Sequence, residues 1–163
     1  MDNEQKDEKE ILRELLLTEE DTVKKLKVLI DKTKAIIKID QKTKKIVFSS
    51  DFECTNTEKV LLHLIGKYFC KELSLCENIG SDVKEMEAET GIKKTTLSKP
   101  LGGLLYSGYI GQDSEKKYFV NHYKIEDIVN SIYDKYIEKK ENAKSILVKF
   151  KSSEKSKMKR GGG

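Results

Sequence analysis

The stretch that decides the fold runs from residue 81 to residue 120 and reads SDVKEMEAETGIKKTTLSKPLGGLLYSGYIGQDSEKKYFV. Asp82, followed by Glu85, has the form of a capping box, in which each side chain binds a free backbone N–H at the start of a helix. Gly91 can adopt the left-handed conformation that ends a helix, and Ile92 can then return to the core. The pattern predicts a short helix followed by a tight turn.

A second helix and a hairpin are predicted after this turn. The helix begins near Lys93 to Thr95 and runs to about Tyr106, and Ser107-Gly108 ends it. Residues 109–120 contain two β-rich segments joined by a polar turn, which predicts a small hairpin. The apolar residues of the helix recur at helical spacing and are expected to face the core: Leu97, Leu101, Leu104 and Leu105.

Helix, glycine-containing turn, helix, glycine and hairpin is the order of elements in a winged helix-turn-helix. The strings GIKKTTLSKPLGGLLYSGYI and EKKYFVN resemble the winged-helix superfamily of archaeal and bacterial transcription regulators, and the resemblance covers roughly residues 57–140. In that superfamily the second helix of the pair enters the DNA major groove and the wing contacts the backbone. By resemblance, the groove-facing positions are Lys93, Lys94, Thr95, Thr96, Ser98 and Lys99, and the wing contacts are Lys116 and Lys117.

Two features depart from the usual recognition helix. Pro100 removes one backbone hydrogen bond and is expected to kink the helix unless the helix begins only two or three residues earlier. Gly102 and Gly103 each cost about 1 kcal/mol of helix propensity relative to alanine. Close approach of DNA or of a protein would favour glycine at these positions. The alternative function is therefore a winged-helix protein–protein interaction module in a larger nucleic-acid-processing assembly.

The whole chain is predicted to be α+β and mostly α, in four parts. These are an N-terminal helical and β-hairpin extension over 1–50, the winged domain over 57–122, a C-terminal amphipathic helix over 123–141 and a disordered basic tail over 142–163. Within the extension, residues 1–7 are expected to be frayed. The extension contains a helix over 8–17, a helix from Thr18 to about Thr33 opened by a capping box with Asp21, and a hairpin over 34–50.

The C-terminal helix, from about Lys124 to Lys140, has a wide apolar stripe with two interpretations. Its residues recur at helical spacing, and in winged-helix regulators such a terminal helix often forms a dimer. The stripe can equally pack on the N-terminal helices of the same chain. The residues of the possible homodimer face are Ile125, Ile128, Val129, Ile132, Tyr133 and Tyr136.

Residues with metal-binding or catalytic chemistry are few. His63 lies at the same helical angle as Lys59 and Lys67, in the helix that follows Thr57, and is predicted to face solvent. The carboxylates Glu85, Glu87 and Glu89 are predicted to be solvated. The three cysteines, Cys54, Cys70 and Cys76, form no C-x-x-C pair. No catalytic motif is present, so the chain is not predicted to be an enzyme, and no metal, cofactor or small-molecule ligand is predicted.

The distribution of charge favours a nucleic-acid partner more than the net charge of +4 does. Residues 93–121 carry five bases and two acids, and residues 144–163 carry seven bases and one acid. Double-stranded DNA is the predicted partner. RNA binding is disfavoured, because exposed aromatic residues are not interleaved with the basic ones. The acidic N-terminus and the lack of a run of roughly 18–20 apolar residues predict a cytoplasmic protein with no signal peptide or membrane span.

Overall fold

The computed structural model describes the backbone of residues 2–161 and the side chains of residues 8–151. The described chain is mostly helical and contains two antiparallel two-stranded sheets, which confirms the α+β, mostly α class. Its elements are α1 (Asp2–Arg13), α2 (Glu19–Ile36), β1 (Ile37–Ile39), β2 (Ile46–Phe48), α3 (Asn56–Glu72), α4 (Val83–Thr90), α5 (Lys94–Ser107), β3 (Ile110–Gln112), β4 (Tyr118–Val120), a 3₁₀ turn (His122–Lys124) and α6 (Ile125–Gly161).

Helix α3 is the central element of the core. Its start is fixed by a capping box, in which Thr55 Oγ1 accepts the Glu58 N–H and Glu58 Oε1 accepts the Thr55 N–H, each at 3.2 Å. The N-cap is therefore Thr55 and not Thr57. Seven consecutive residues, 60–66, are buried, because α3 packs against α4, α5, α6 and both hairpins. One buried cluster joins residues from the N-terminal extension, the central domain and α6.

The two predicted helices and the glycine turn between them are found between residues 82 and 107. Asp82 accepts the backbone N–H of Glu85 at 2.7 Å, and α4 ends at Gly91, whose φ is 74°. Glu85 does not complete the capping box, because its carboxylate binds Lys67 of α3 at 2.7 Å. Ile92 is buried directly after the turn. The two helices therefore pack against each other and against α3.

Helix α5 and the hairpin after it also follow the prediction. Leu97, Leu101 and Leu104 are buried against α3, while Pro100 lies within the helix. Strand β3 pairs with β4 so that residue 110 opposes residue 120. Ser81 forms an antiparallel bridge with Tyr118 through two backbone hydrogen bonds of 2.8 and 2.9 Å, on the side of β4 that does not pair with β3.

The N-terminal extension differs from the prediction at its helix ends. Helix α1 begins at Asp2, so the residues expected to be frayed are helical as far as the structure describes them. Helix α2 is capped by Thr18 as predicted and continues to Ile36, beyond the predicted end at Thr33. It leads directly into β1, and β1 and β2 form the predicted hairpin with Ile37 opposite Phe48.

Helix α6 agrees with one of the two interpretations of its apolar stripe and corrects the expectation of a disordered tail. Its apolar stripe packs within the chain, mainly on α2, and Lys32 of α2 donates to Asn130 at 2.8 Å. The expected dimer face is therefore used inside one molecule: Ile125, Ile128, Val129, Ile132 and Tyr136 are buried and Tyr133 is half-buried. The tail expected to be disordered is helical to Gly161, because residues 125–160 contain no proline or glycine to end the helix.

Candidate functional site

The predicted groove-facing residues lie together at the start of α5. All six side chains are exposed, and none forms a side-chain hydrogen bond or ion pair with another described residue. Helix α5 contains no acidic residue in its first turn, and Lys93 at its N-cap makes no side-chain capping bond. Backbone N–H groups at this helix end therefore add positive potential to that of the three lysines. The six residues are Lys93, Lys94, Thr95, Thr96, Ser98 and Lys99.

The two glycines of α5 extend this face without side chains. Gly102 and Gly103 are exposed, and a Cβ built on either would have no atom within 4 Å. Packing inside the chain therefore does not require glycine at these positions. One turn further, the Tyr106 side chain is 96% exposed. The result is an exposed surface that begins with basic and hydroxyl groups and ends with an aromatic ring.

The two predicted wing lysines are not equivalent. Lys116 is exposed and has a φ of 62° in the turn between β3 and β4. Lys117 is half-buried, its Nζ lies 3.6 Å from Glu115 Oε2, and its Cβ lies close to Gly80. Asp113 Oδ1 closes the turn by accepting the backbone N–H groups of residues 115 and 117, both at 2.9 Å. Of the two, Lys116 is the one available to a partner.

His63 does not face solvent, contrary to the prediction. Its side chain is wholly buried, with Nε2 2.9 Å from Ser81 Oγ and Nδ1 3.2 Å from Glu89 Oε2. The prediction failed because α4 packs across the lysine-bearing side of α3, and Lys67 on that side is itself largely buried.

Two of the three carboxylates of α4 are also less exposed than predicted. The Glu85 and Glu89 side chains are 35% and 12% exposed, whereas Glu87 is exposed as expected. Glu85 and Glu89 face His63 and Lys67, so this side of α4 forms a polar cluster with α3. We call His63, Lys67, Ser81, Glu85 and Glu89 the buried polar cluster.

The titration of these groups follows from their burial and their neighbours. Burial lowers the pKa of His63 to about 4, with Glu85 opposing this change and Lys67 adding to it. Burial also raises the pKa of the Glu89 carboxyl, and the nearby Glu85 carboxylate raises it further. For Lys67, burial lowers the pKa, but the hydrogen bond to Glu85 together with the charges of Glu85, Cys76 and Glu89 outweighs this, so the pKa is raised. The imidazole is therefore neutral at neutral pH.

Ser81, His63 and Glu89 lie in the order hydroxyl, imidazole, carboxylate that serine hydrolases use, although no hydrogen bond joins His63 Nδ1 to Glu89 Oε2. Both Ser81 and His63 have no solvent-accessible surface. A substrate carbonyl therefore has no path to the hydroxyl in this structure. The three side chains can therefore form hydrogen bonds inside the fold or act as ligands, but they cannot act on a substrate in this structure.

Exposed apolar side chains occur at two sites distant in sequence. At the N-terminus, Ile11, Leu12, Leu15, Leu16 and Leu17 are 60% to 81% exposed. Near the far end of α6, Ile146, Leu147, Val148 and Phe150 are 57% to 68% exposed. Large apolar side chains in such groups commonly mark an interaction surface.

Comparison of the chain with protein-family models, with curated proteins and with solved structures found no match. Within residues 2–161, no helix is both long enough and apolar enough to cross a lipid bilayer. A function for this chain is therefore argued from its own residues.

Proposed function

We propose that residues 57–122 form a winged helix-turn-helix domain that binds double-stranded DNA, as in a transcription regulator. Support comes from the succession of α3, α4, α5 and the β3–β4 hairpin, with Ser81 bridged to the free edge of β4. In this proposal α5 enters the major groove and the β3–β4 turn is the wing that contacts the DNA backbone.

The observation that carries the proposal is the uncovered polar face at the start of α5. Thr95, Thr96 and Ser98 have hydroxyl groups that can bond to base edges or phosphates, and Lys99 can do either. Lys93 and Lys94, at the helix start, are suited to phosphate contacts, as is Lys116 on the wing. These side chains have no competing partner among the described residues, so DNA does not have to break an existing interaction.

The experiment is a binding titration of the full chain with a mixed pool of double-stranded DNA at low and moderate salt. Lys99→Ala is the test variant and Lys135→Ala, which removes an exposed lysine from α6, is the matched control. We expect Lys99→Ala to weaken binding and Lys135→Ala to leave it nearly unchanged. Absence of binding at low salt, or equal loss in both variants, would contradict this placement of DNA.

A protein partner for the same face is the alternative function. The specific observation in its favour is the exposed Tyr106 ring beside Gly102 and Gly103, because tyrosine is enriched at protein interfaces. The DNA titration discriminates between the two. Two results together would favour the interaction module. The wild-type chain would not bind DNA. It would capture a protein that the Lys99→Ala variant also captures and that the Tyr106→Ala variant does not.

We also propose a homodimer, formed through residues 11–17, at the end of α1 and in the turn after it, and the far part of α6, instead of the stripe from Ile125 to Tyr136. Both sites carry exposed apolar side chains. Their charges are opposite, with nine acids and three bases in residues 1–21 against seven bases and one acid in residues 144–163. Opposite charges favour contact between α1 of one copy and α6 of the other.

Sedimentation of the full chain at several micromolar concentrations tests the dimer. Leu15→Glu is the test variant, because Leu15 is 81% exposed and its replacement leaves the core intact. Val47→Glu, at a position 52% exposed on the N-terminal hairpin, is the control. We expect dimers for wild type and Val47→Glu and monomers for Leu15→Glu. A wild-type chain that is monomeric throughout would refute the homodimer.

A further inference from the structure

Two buried atoms of the buried polar cluster face each other without a hydrogen bond. His63 Nδ1 and Glu89 Oε2 are 3.2 Å apart, and neither atom has a hydrogen-bond partner among the described residues. Buried polar atoms are nearly always satisfied, because desolvation of an unpaired group costs about 1–3 kcal/mol. A pair of such atoms, aimed at one point, therefore requires an explanation.

The hydrogen bonding of the other ring nitrogen of His63, Nε2, indicates the charge of the group that would satisfy Nδ1 and the Glu89 carboxylate. Ser81 Oγ lies 2.9 Å from Nε2 and 3.5 Å from the carbonyl oxygen of Asp82, so the hydroxyl can donate to that carbonyl and accept Nε2–H. Nδ1 then carries a lone pair, which faces the carboxylate oxygen of Glu89. Two electron-rich atoms at this separation are stabilised by a cation between them.

We propose that His63, Glu85 and Glu89 bind a divalent transition-metal ion such as Zn²⁺. One nitrogen and two carboxylate oxygens from these residues lie within 4.8 Å of one another. Ligands of a tetrahedral zinc ion, at about 2.0–2.2 Å from the metal, lie about 3.4 Å apart. The 3.2 Å between His63 Nδ1 and Glu89 Oε2 is close to this spacing before any movement.

Glu85 completes the ligand set by a small movement. Its carboxylate now binds Lys67 at 2.7 Å. A metal ion would replace this ammonium group as the partner of Glu85, and two carboxylates would balance the two charges of the ion. The side chains of Glu85 and Glu89 are 35% and 12% exposed, so solvent reaches the cluster from their side, mainly at Glu85.

The type of ligand selects the type of metal. An imidazole nitrogen with two carboxylates suits zinc, iron, cobalt or nickel, whereas magnesium and calcium prefer oxygen ligands alone. Ser81 is the outer partner of this site, because a ligating histidine usually donates its second N–H to an oxygen acceptor that fixes the ring. Sequence spacing alone does not reveal the site, because His63 is separated from the two glutamates by more than 20 residues.

The test is titration of the chelator-treated full chain with Zn²⁺ by calorimetry and with Co²⁺ by visible absorption. We expect one equivalent of each metal to bind, and the cobalt complex to show the intense d–d bands of tetrahedral coordination without a thiolate charge-transfer band. Saturating Zn²⁺ should also raise the thermal unfolding midpoint, because the ion binds the folded chain.

Matched variants localise the site. Glu89→Gln keeps the size of the side chain and removes a ligand, and we expect it to weaken Zn²⁺ binding by at least about 100-fold. Glu87→Gln removes an exposed charge from the same helix and should bind like wild type. Ser81→Ala should weaken binding by about 10- to 100-fold. These variants remain interpretable if His63 variants fail to fold.

Three results would overturn the metal site. The first is no stoichiometric Zn²⁺ or Co²⁺ binding by the wild-type chain, which would mean that a proton on Glu89 bridges the two atoms. The second is a thiolate charge-transfer band, which would assign the metal to Cys54, Cys70 or Cys76. The third is equal binding by Glu87→Gln and Glu89→Gln. All three readouts are independent of DNA binding.

Discussion

Gly66 of α3 lies directly against Ile46 of the N-terminal hairpin, so closely that a Cβ built on Gly66 would stand 2.3 Å from Ile46 Cγ1. Ile46 is buried, and this contact seats the hairpin on the central helix. Glycine is therefore needed here for close approach of two elements, and the N-terminal extension is part of the same core as the central domain.

Gly66→Ala should lower the free energy of unfolding by about 1–3 kcal/mol, because Ile46 has to move in a packed core. The control is Gly102→Ala, at an open helical position, which should raise it by up to about 1 kcal/mol through helix propensity. Urea denaturation measures both. A Gly66→Ala chain as stable as wild type would show that the hairpin does not pack as described.

Thr55→Ala should lower the free energy of unfolding by about 1 kcal/mol, because it removes the hydroxyl that caps α3. Thr57→Ala, two residues later in the first turn, is the control and should be nearly neutral. The two variants also test where α3 begins. If Thr57→Ala lowered the free energy of unfolding more than Thr55→Ala, the helix would begin at Thr57, as predicted from the sequence.

Ile132→Ala should lower the free energy of unfolding by about 2–5 kcal/mol, because the side chain is buried in the core of one molecule. Ser131→Ala, at the adjacent exposed position, should have little effect. Denaturation at two protein concentrations distinguishes an intramolecular contact from a dimer contact. The loss of unfolding free energy should be the same at both protein concentrations. A loss that appears only at the higher protein concentration would indicate that Ile132 lies in a dimer interface.

Lys116→Ala should reduce the slope of log affinity for DNA against log salt by about 1, because it removes one phosphate contact. Lys117→Ala is its neighbouring control and should change the slope less, since Lys117 is half-buried beside Glu115. Binding isotherms over a salt series measure both slopes. If Lys117→Ala reduced the slope more than Lys116→Ala, the phosphate contact of the wing would be made by Lys117.

The sequence predicts most where a local signal determines the structure. Asp82, Thr18 and Gly91 each act on backbone groups within a few residues, so the helix ends that they define are found where predicted. The face of α5 is predictable for the same reason, because helical spacing separates its leucines from its polar residues.

The sequence predicts less where a contact depends on how distant elements pack. His63 appears solvent-facing from its own helix, and only the position of α4 across α3 buries it against Ser81 and Glu89. The apolar stripe of α6 is correctly identified as an interface. Whether that interface covers a second copy or α2 of the same chain cannot be read from periodicity, which is identical in the two cases.

Helix α6 has 37 residues and therefore spans about 55 Å, roughly twice the length of α2 on which it rests. Every described side chain from residue 141 to residue 151 is exposed, so this part of the helix projects beyond the body. The 21 residues from 141 to 161 add about 30 Å of reach. The far part of α6 is therefore a rigid spacer, and anything bound at its end would be held away from the body of the protein.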